Sequence, residues 1–136
     1  MKKQSILAVA LTALIATGSA FAATAVSGYR IFNQDGKANY TTSSSSNCTG
    51  VTFPTSIKHG NDGVITVTSG FMPGSLCSAR YTSSHSEIKT ADANVCLVTI
   101  TSNPADGVVQ LYASPLSGST TFTCLAMNGN TAIAIN

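Results

Sequence analysis

The chain has 136 residues, of which 9% are charged, and its formal net charge is +2. Lys2 and Lys3 account for that excess, because beyond residue 22 five basic residues balance five acidic ones. This balance argues against nucleic-acid binding, which needs a basic stripe to neutralise phosphates, and against electrostatic docking on anionic lipid.

The first 22 residues are predicted to be a cleaved signal peptide. Two lysines precede an apolar stretch from Ile6 to Thr17, and Ala20-Phe21-Ala22 supplies a small-x-small cleavage site. An uncleaved anchor helix is the alternative, but the apolar run is short for a membrane span. The leader is typical of bacteria. Residues 23–136 are therefore expected to form a single secreted β domain at the cell surface or in the periplasm, without membrane insertion.

The elements expected in chain order are strands and turns. Gly28 to Asn33 reads as a first strand and Asn33 to Lys37 as a turn. Thr41 to Asn47, with four serines in a row, is predicted to be a flexible loop because it has little apolar surface to bury. Further on, apolar and polar residues alternate as in half-buried strands. The predicted strands there are 63–69, 76–82, 95–101, 108–113, 121–126 and 131–136.

This pattern predicts an all-β fold of seven or eight short strands. The favoured architecture is a disulfide-stabilised, two-layer antiparallel β-sandwich, with an immunoglobulin-like domain or a small barrel as alternatives. Sixteen serines and sixteen threonines in residues 23–136 give the surface its polarity.

Four cysteines divide the chain into two matched spans, Cys48 to Cys77 and Cys96 to Cys124. An even number of cysteines in an exported protein predicts two disulfides. Sequential pairing is favoured over pairing between the halves. In each span the cysteines lie on or beside the first and third predicted strands. The first and third strands of a meander lie about 9.5 Å apart, whereas bridged Cα atoms lie within about 7 Å of each other. Sequential pairing therefore requires the third strand of each span to cross to the other sheet.

Each cysteine span also contains an Asp-Gly pair that is predicted to form a turn. The pairs are Asp62-Gly63 and Asp106-Gly107, and each is followed by valine. Duplication of one half would explain the repeat, and so would turn chemistry that arose twice.

Few residues are suited to catalysis, so we do not expect an enzyme. His59 lies among turn residues, His85 lies among serines, and no Gly-x-Ser-x-Gly elbow is present in the sequence. His59 with Asp62 is the nearest approach to a metal site, but a turn explains both residues better. We expect no catalytic residues, metal site or cofactor.

The best candidate for a binding surface is Tyr112 with Gln110. The alternation places Tyr112 on the outward face of its strand, and amphipathic tyrosines favour recognition. A cross-strand packing role is the alternative.

Two functional hypotheses follow. The first is an exported bacterial structural or adhesive protein, such as a subunit of a surface fibre or fimbrium assembled by β-strand pairing, with 25–32 and 131–135 as candidate donor segments. The alternative is a soluble secreted or periplasmic binding module, such as a lectin-like domain, an inhibitor or an effector. The expected partners are another copy, another envelope or host protein, or a glycan.

Overall fold

The computed structural model describes residues 27–45, 48–84 and 93–136, which form strands and turns without a helix. The predicted leader and His85 lie outside these ranges. The all-β prediction is confirmed, since the described residues form ten strands in two five-stranded sheets. Eight of these strands have four or more residues, and the other two have only two residues each.

Both sheets draw strands from distant parts of the chain. In spatial order, sheet A contains β3 (Val51–Thr52), β5 (Asp62–Val67), β1 (Ser27–Asn33), β10 (Ala132–Ile135) and β9 (Cys124–Met127). Sheet B contains β4 (Ser56–Ile57), β2 (Asn39–Ser45), β6 (Leu76–Ser84), β7 (Val95–Ser102) and β8 (Val109–Ser117).

The first and last strands lie side by side inside sheet A. β1 pairs in parallel with β10, from Arg30 opposite Ala132 to Asn33 opposite Ile135. On its other side β1 pairs antiparallel with β5. The remaining pairs among the described strands are antiparallel, so the β1–β10 pair departs from the antiparallel arrangement that was predicted.

The alternation of apolar residues identified the inward faces correctly. Side chains from both sheets form one core cluster. It includes the predicted inward residues Ile65, Val67, Cys77, Ala79, Tyr81, Cys96, Val98, Ile100, Leu111, Phe122 and Cys124. Burial of this apolar surface is the main force that holds the two sheets together.

The prediction of a flexible loop over residues 41–47 is wrong for residues 41–45, which belong to β2, while residues 46 and 47 lie outside the described ranges. Tyr40 is fully buried and anchors the strand in the core, while β6 pairs with β2 along its length. Side-chain hydroxyl groups also form hydrogen bonds to distant residues, which the serine-rich composition of this stretch does not predict. Thr42 Oγ1 donates to the Pro54 carbonyl at 2.8 Å, and Thr82 Oγ1 donates to Ser43 Oγ at 2.9 Å.

The disulfide pairing is the sequential one that the sequence favours. Cys48 is bonded to Cys77 and Cys96 to Cys124, with Cα separations of 6.0 and 5.7 Å. The chain changes sheet between the two cysteines of each pair, from β5 in sheet A to β6 in sheet B and from β8 in sheet B to β9 in sheet A. The Cys96–Cys124 bridge therefore joins β7 of sheet B to β9 of sheet A, whereas the Cys48–Cys77 bridge joins the loop between β2 and β3 to β6 of sheet B.

The two Asp-Gly pairs have different structural roles. Gly107 has a φ of 72° in a turn, where Asp106 Oδ1 accepts a hydrogen bond from the Val108 amide at 2.9 Å. Gly63 instead lies within β5, where an added Cβ would lie 2.8 Å from Pro54 Cγ. Asp62 also lies in the strand and forms an ion pair with Arg30. A turn does form just before this pair, at His59 and Gly60, where the φ of Gly60 is 69°. The placement of the turn on Asp62-Gly63 is wrong, so the repeat does not reflect repeated local structure.

Candidate functional site

Tyr112 and Gln110 lie on the outer face of sheet B, as the alternation predicts. Tyr112 is 46% exposed, and its Oη donates a hydrogen bond to Gln110 Oε1 at 2.6 Å. Their neighbours across β7 are Thr99 and Thr101. The pair therefore forms part of a hydroxyl-rich face, and its role in binding remains a prediction.

His59 and Asp62 have separate surroundings. His59 is exposed, and its backbone amide donates to Asn39 Oδ1 at 2.9 Å, while Asp62 pairs with Arg30. Within the described ranges, no group of three or more His, Cys, Asp or Glu residues is placed to hold a metal ion.

The slot that β1 fills, between β5 and β10, is the most distinctive feature of sheet A and is called the β1 slot here. Ile31 and Asn33 of β1 are buried and Tyr29 is half-buried, whereas Arg30 is exposed. Removing β1 would leave β5 and β10 each with an unpaired edge in the middle of the sheet. The β1 slot therefore requires a strand with this alternation.

Asn33 fixes the end of β1 in the β1 slot. Its Nδ2 donates to the carbonyls of Ala38 at 2.9 Å and Ile57 at 3.0 Å, and its Oδ1 accepts from the Asp35 amide at 3.1 Å. Its backbone amide donates to the Asn61 carbonyl at 2.9 Å. A single buried side chain thus joins β1 to both the following loop and β4.

Three of the four outer strands of the sheets, β3, β4 and β8, are short or blocked, and β9 is the fourth. β3 and β4 have two residues each. On β8, the Leu111 amide points away from β7 and donates to the Asn130 carbonyl at 3.2 Å. Because backbone direction alternates along an antiparallel strand, residue 115 faces the same edge, and there proline has no amide hydrogen to offer. Such devices prevent another strand from pairing at an edge.

An end cleft with a volume of about 540 Å³ opens where β1 and β8 end and β7 begins. Its lining residues are Asp35, Gly36, Lys37, Asn94, Ser119, Thr121, Phe122 and Asn136. A second cavity of about 570 Å³ lies between β2 and β3, but the described residues that line it are uncharged. The end cleft therefore offers carboxylate, ammonium, amide and hydroxyl groups, whereas the polar side chains of the second cavity are hydroxyls.

A buried phenol joins the polar groups of the end cleft. Tyr40 Oη donates to Asp35 Oδ2 at 3.2 Å and accepts from Asn94 Nδ2 at 3.3 Å. Burial raises the pKa of Tyr40 to about 12; the bond from Asn94 opposes this rise, and the Asp35 carboxylate adds to it. The Tyr40 ring stacks on Phe122, with ring centroids 6.2 Å apart.

Gly118 allows the chain between β8 and β9 to approach Asn94. Its φ is 144°, and an added Cβ would lie 2.4 Å from Asn94 Oδ1 and 2.9 Å from the Phe122 ring. The following amide, that of Ser119, donates to Asn94 Oδ1 at 3.0 Å. The glycine thus permits a backbone bond that holds the Asn94 amide in place.

Sequence reasoning did not identify the end cleft. It assigned Asp35 to a turn, and that residue does cap the loop. It also placed Phe122 on the inward face of a strand, but it gave neither Phe122 nor Asn94 a role in a site. These residues are far apart in the chain and carry no motif, so only the strand order brings them together.

Among the described residues no helix is long and apolar enough to cross a membrane. The chain matches no protein-family model, and no curated protein or solved structure shows significant similarity to it.

Proposed function

We propose that the chain is an exported bacterial structural or adhesive protein, a subunit of a surface fibre in which β1 of one copy fills the β1 slot of the next. The observation that carries the proposal is the position of β1 between β5 and β10, where it makes one parallel and one antiparallel pairing. The β1 strand of another copy would make the same contacts, as in domain swapping.

The covalent structure supports this exchange. Both disulfides lie within residues 48–124, so β1 can leave the sheet without breaking a covalent bond. The β1 slot would still be framed by β5 and by β10, and the neighbour of β10, β9, is tied to β7 of the other sheet by the Cys96–Cys124 bridge. With the expected cleavage after Ala22, only four residues would precede β1.

Three of the four outer strands favour exchange of β1 over the addition of a strand at an edge. The short β3 and β4 and the proline in β8 offer little to an incoming strand. The contacts within the β1 slot are the same whether β1 fills the slot of its own copy or that of another copy. The equilibrium between the two forms therefore depends on the five residues 34–38, which connect β1 to β2.

We also infer a two-layer sandwich, in preference to a barrel, as the finer architecture. Two separate strand orders, one core fed by both sheets and a bridge from β7 to β9 support it. A sandwich suits the proposal because a central strand of one layer can be replaced while the other layer stays intact.

A lock on β1 tests the proposal. Arg30 and Val64 are opposite each other on β1 and β5, and both are exposed. Because the backbone groups of Asn33 bond to residues 60 and 61, alternation along β1 leaves residues 30 and 64 as a pair without mutual backbone hydrogen bonds. Such pairs have Cα atoms about 4.5 Å apart, which suits a disulfide. The double variant Arg30→Cys/Val64→Cys, oxidised as a monomer, is expected to stay monomeric by light scattering under conditions in which the unmodified mature chain assembles.

The matched control is Arg80→Cys/Leu97→Cys, which pairs an arginine with an apolar residue on β6 and β7. It should assemble like the unmodified chain, because neither strand is exchanged. A mature chain that remains monomeric at every concentration, or a locked variant that assembles normally, would refute the proposal.

The second candidate is a soluble secreted or periplasmic binding module, and the polar end cleft favours it. A protein that stays monomeric yet binds a ligand would support this candidate over the fibre.

A further inference from the structure

We propose that the end cleft is a binding site for a neutral polyhydroxylated ligand, of the kind presented by a sugar ring of a glycan. The inference rests on side chains at one end of the molecule and not on exchange of β1.

The floor of the end cleft offers a carboxylate beside an amide. Asp35 Oδ2 accepts one bond from Tyr40, and Asn94 Nδ2 donates one of its two hydrogens to the same phenol. Each group keeps further hydrogen-bonding capacity, since a carboxylate oxygen has two lone pairs and an amide nitrogen two hydrogens. Adjacent hydroxyls fit this pair, because one can donate to Asp35 while its neighbour accepts from Asn94.

These two groups are held in position before a ligand arrives. Asp35 Oδ1 accepts from the amides of Lys37 at 2.9 Å and Ala38 at 3.1 Å. Asn94 Oδ1 accepts from the Ser119 amide. Such preorganisation reduces the entropy lost on binding.

The rest of the lining favours an uncharged ligand with an apolar face. Asp35 and Lys37 balance in charge among the lining residues, whereas an anion site would carry an excess of cations. The ring of Phe122 provides an apolar surface at the base, and hydroxyls of Ser119 and Thr121 lie at the rim. The volume lies within the range of small-molecule sites.

The end cleft includes part of the segment that would change conformation if β1 were exchanged, because Asp35, Gly36 and Lys37 lie within residues 34–38. The bonds that orient Asp35 and Asn94 are all present when β1 fills the slot of its own copy. Ligand binding is therefore measured on the monomer.

Saturation-transfer NMR on the monomeric mature chain provides the test. The probes are the methyl glycosides of mannose, galactose, glucose and N-acetylglucosamine, and we expect at least one to bind. Asp35→Asn replaces an acceptor oxygen with a donor and should weaken that binding by about tenfold or more. Asp106→Asn is the matched control, since Asp106 also caps a turn through Oδ1 but at the opposite end of the molecule. The affinity of this variant for the glycoside should equal that of the unmodified chain.

Asn136→Ala changes an exposed residue of the lining and should also weaken binding. This second variant serves as the test if Asp35→Asn does not fold. Thermal melts report folding of each variant. Binding of none of the four probes, or binding that Asp106→Asn weakens as much as Asp35→Asn, would overturn the proposal. The assembly experiment uses no glycan, so its outcome is separate.

Discussion

Asn33 shows how one residue determines the end of a strand. It is 1% exposed, and its amide is bonded to two carbonyls and one amide of neighbouring segments. A buried polar group that loses its partner costs about 1–3 kcal/mol.

Asn33→Ala should therefore lower the free energy of unfolding by about 2–4 kcal/mol, because the carbonyls of Ala38 and Ile57 lose their donor. Urea unfolding measures the change. The neighbouring exposed variant Gln34→Ala is the control and should stay within about 0.5 kcal/mol of the unmodified chain. Equal stability of the two variants would show that these bonds contribute little.

Two buried tyrosines predict a loss of stability in alkali. Burial raises the pKa of Tyr40 to about 12 and also raises that of Tyr81, whereas a tyrosine in an unfolded chain ionises near pH 10. The unfolded chain therefore releases these protons first, so the stabilisation is complete below about pH 10 and is lost as the pH rises towards about 12.

Tyr40→Phe and Tyr81→Phe should each make the fall in melting temperature between about pH 9 and about pH 12 less steep. Circular dichroism at a series of pH values measures it. Tyr112→Phe removes an exposed phenol and serves as the control. A fall of the same steepness in all three variants would contradict the assignment.

At the scale of the element, β8 shows how an edge is kept unpaired. The backbone nitrogen of Pro115 faces the outer edge and has no hydrogen to donate. The backbone groups of Ser114 face Leu97 of β7 instead.

Pro115→Val should increase self-association, because it adds an outward amide hydrogen to the edge. Ser114→Val adds the same side chain next to it without changing the edge, so it should associate less than Pro115→Val. Sedimentation velocity at matched concentrations compares them. Greater association of the Ser114 variant would mean that added apolar surface, and not the edge amide, drives the effect.

The elements that the sequence predicts well are those whose faces differ in polarity. Alternation in β5, β6 and β7 identified the inward residues, and the distance limit on a disulfide predicted the change of sheet. β2 was missed because its serines have no local signal for a strand, and its order comes from Tyr40 and from pairing with β6. The parallel β1–β10 pair and the end cleft depend on which strands become neighbours, and no local pattern records this.

For the whole molecule, the two disulfides close loops of nearly equal length but differ in how deeply their cysteines are buried. They therefore allow the effect of burial on stability to be separated from the effect of loop length. Their sequence separations are 29 and 28 residues, so chain entropy assigns each about 3–4 kcal/mol. Cys96 and Cys124 are both buried, whereas Cys48 is half-buried.

Cys96→Ala/Cys124→Ala should consequently lower the free energy of unfolding more than Cys48→Ala/Cys77→Ala, because it also leaves space inside the core. Urea unfolding of the two double variants gives the difference. A larger loss on removal of the Cys48–Cys77 bridge would contradict this account of the core.

Exchange of β1 is the central claim, and oxidation after assembly tests it most directly. Arg30→Cys/Val64→Cys is kept from forming its engineered bond, allowed to assemble, then oxidised and run on a denaturing gel without reductant. Exchange predicts a ladder of covalently linked copies, since residue 30 of one copy then faces residue 64 of the next, while Arg80→Cys/Leu97→Cys gives a single monomer band. A single monomer band from both variants, obtained from assembled material, would show that β1 stays in its own subunit.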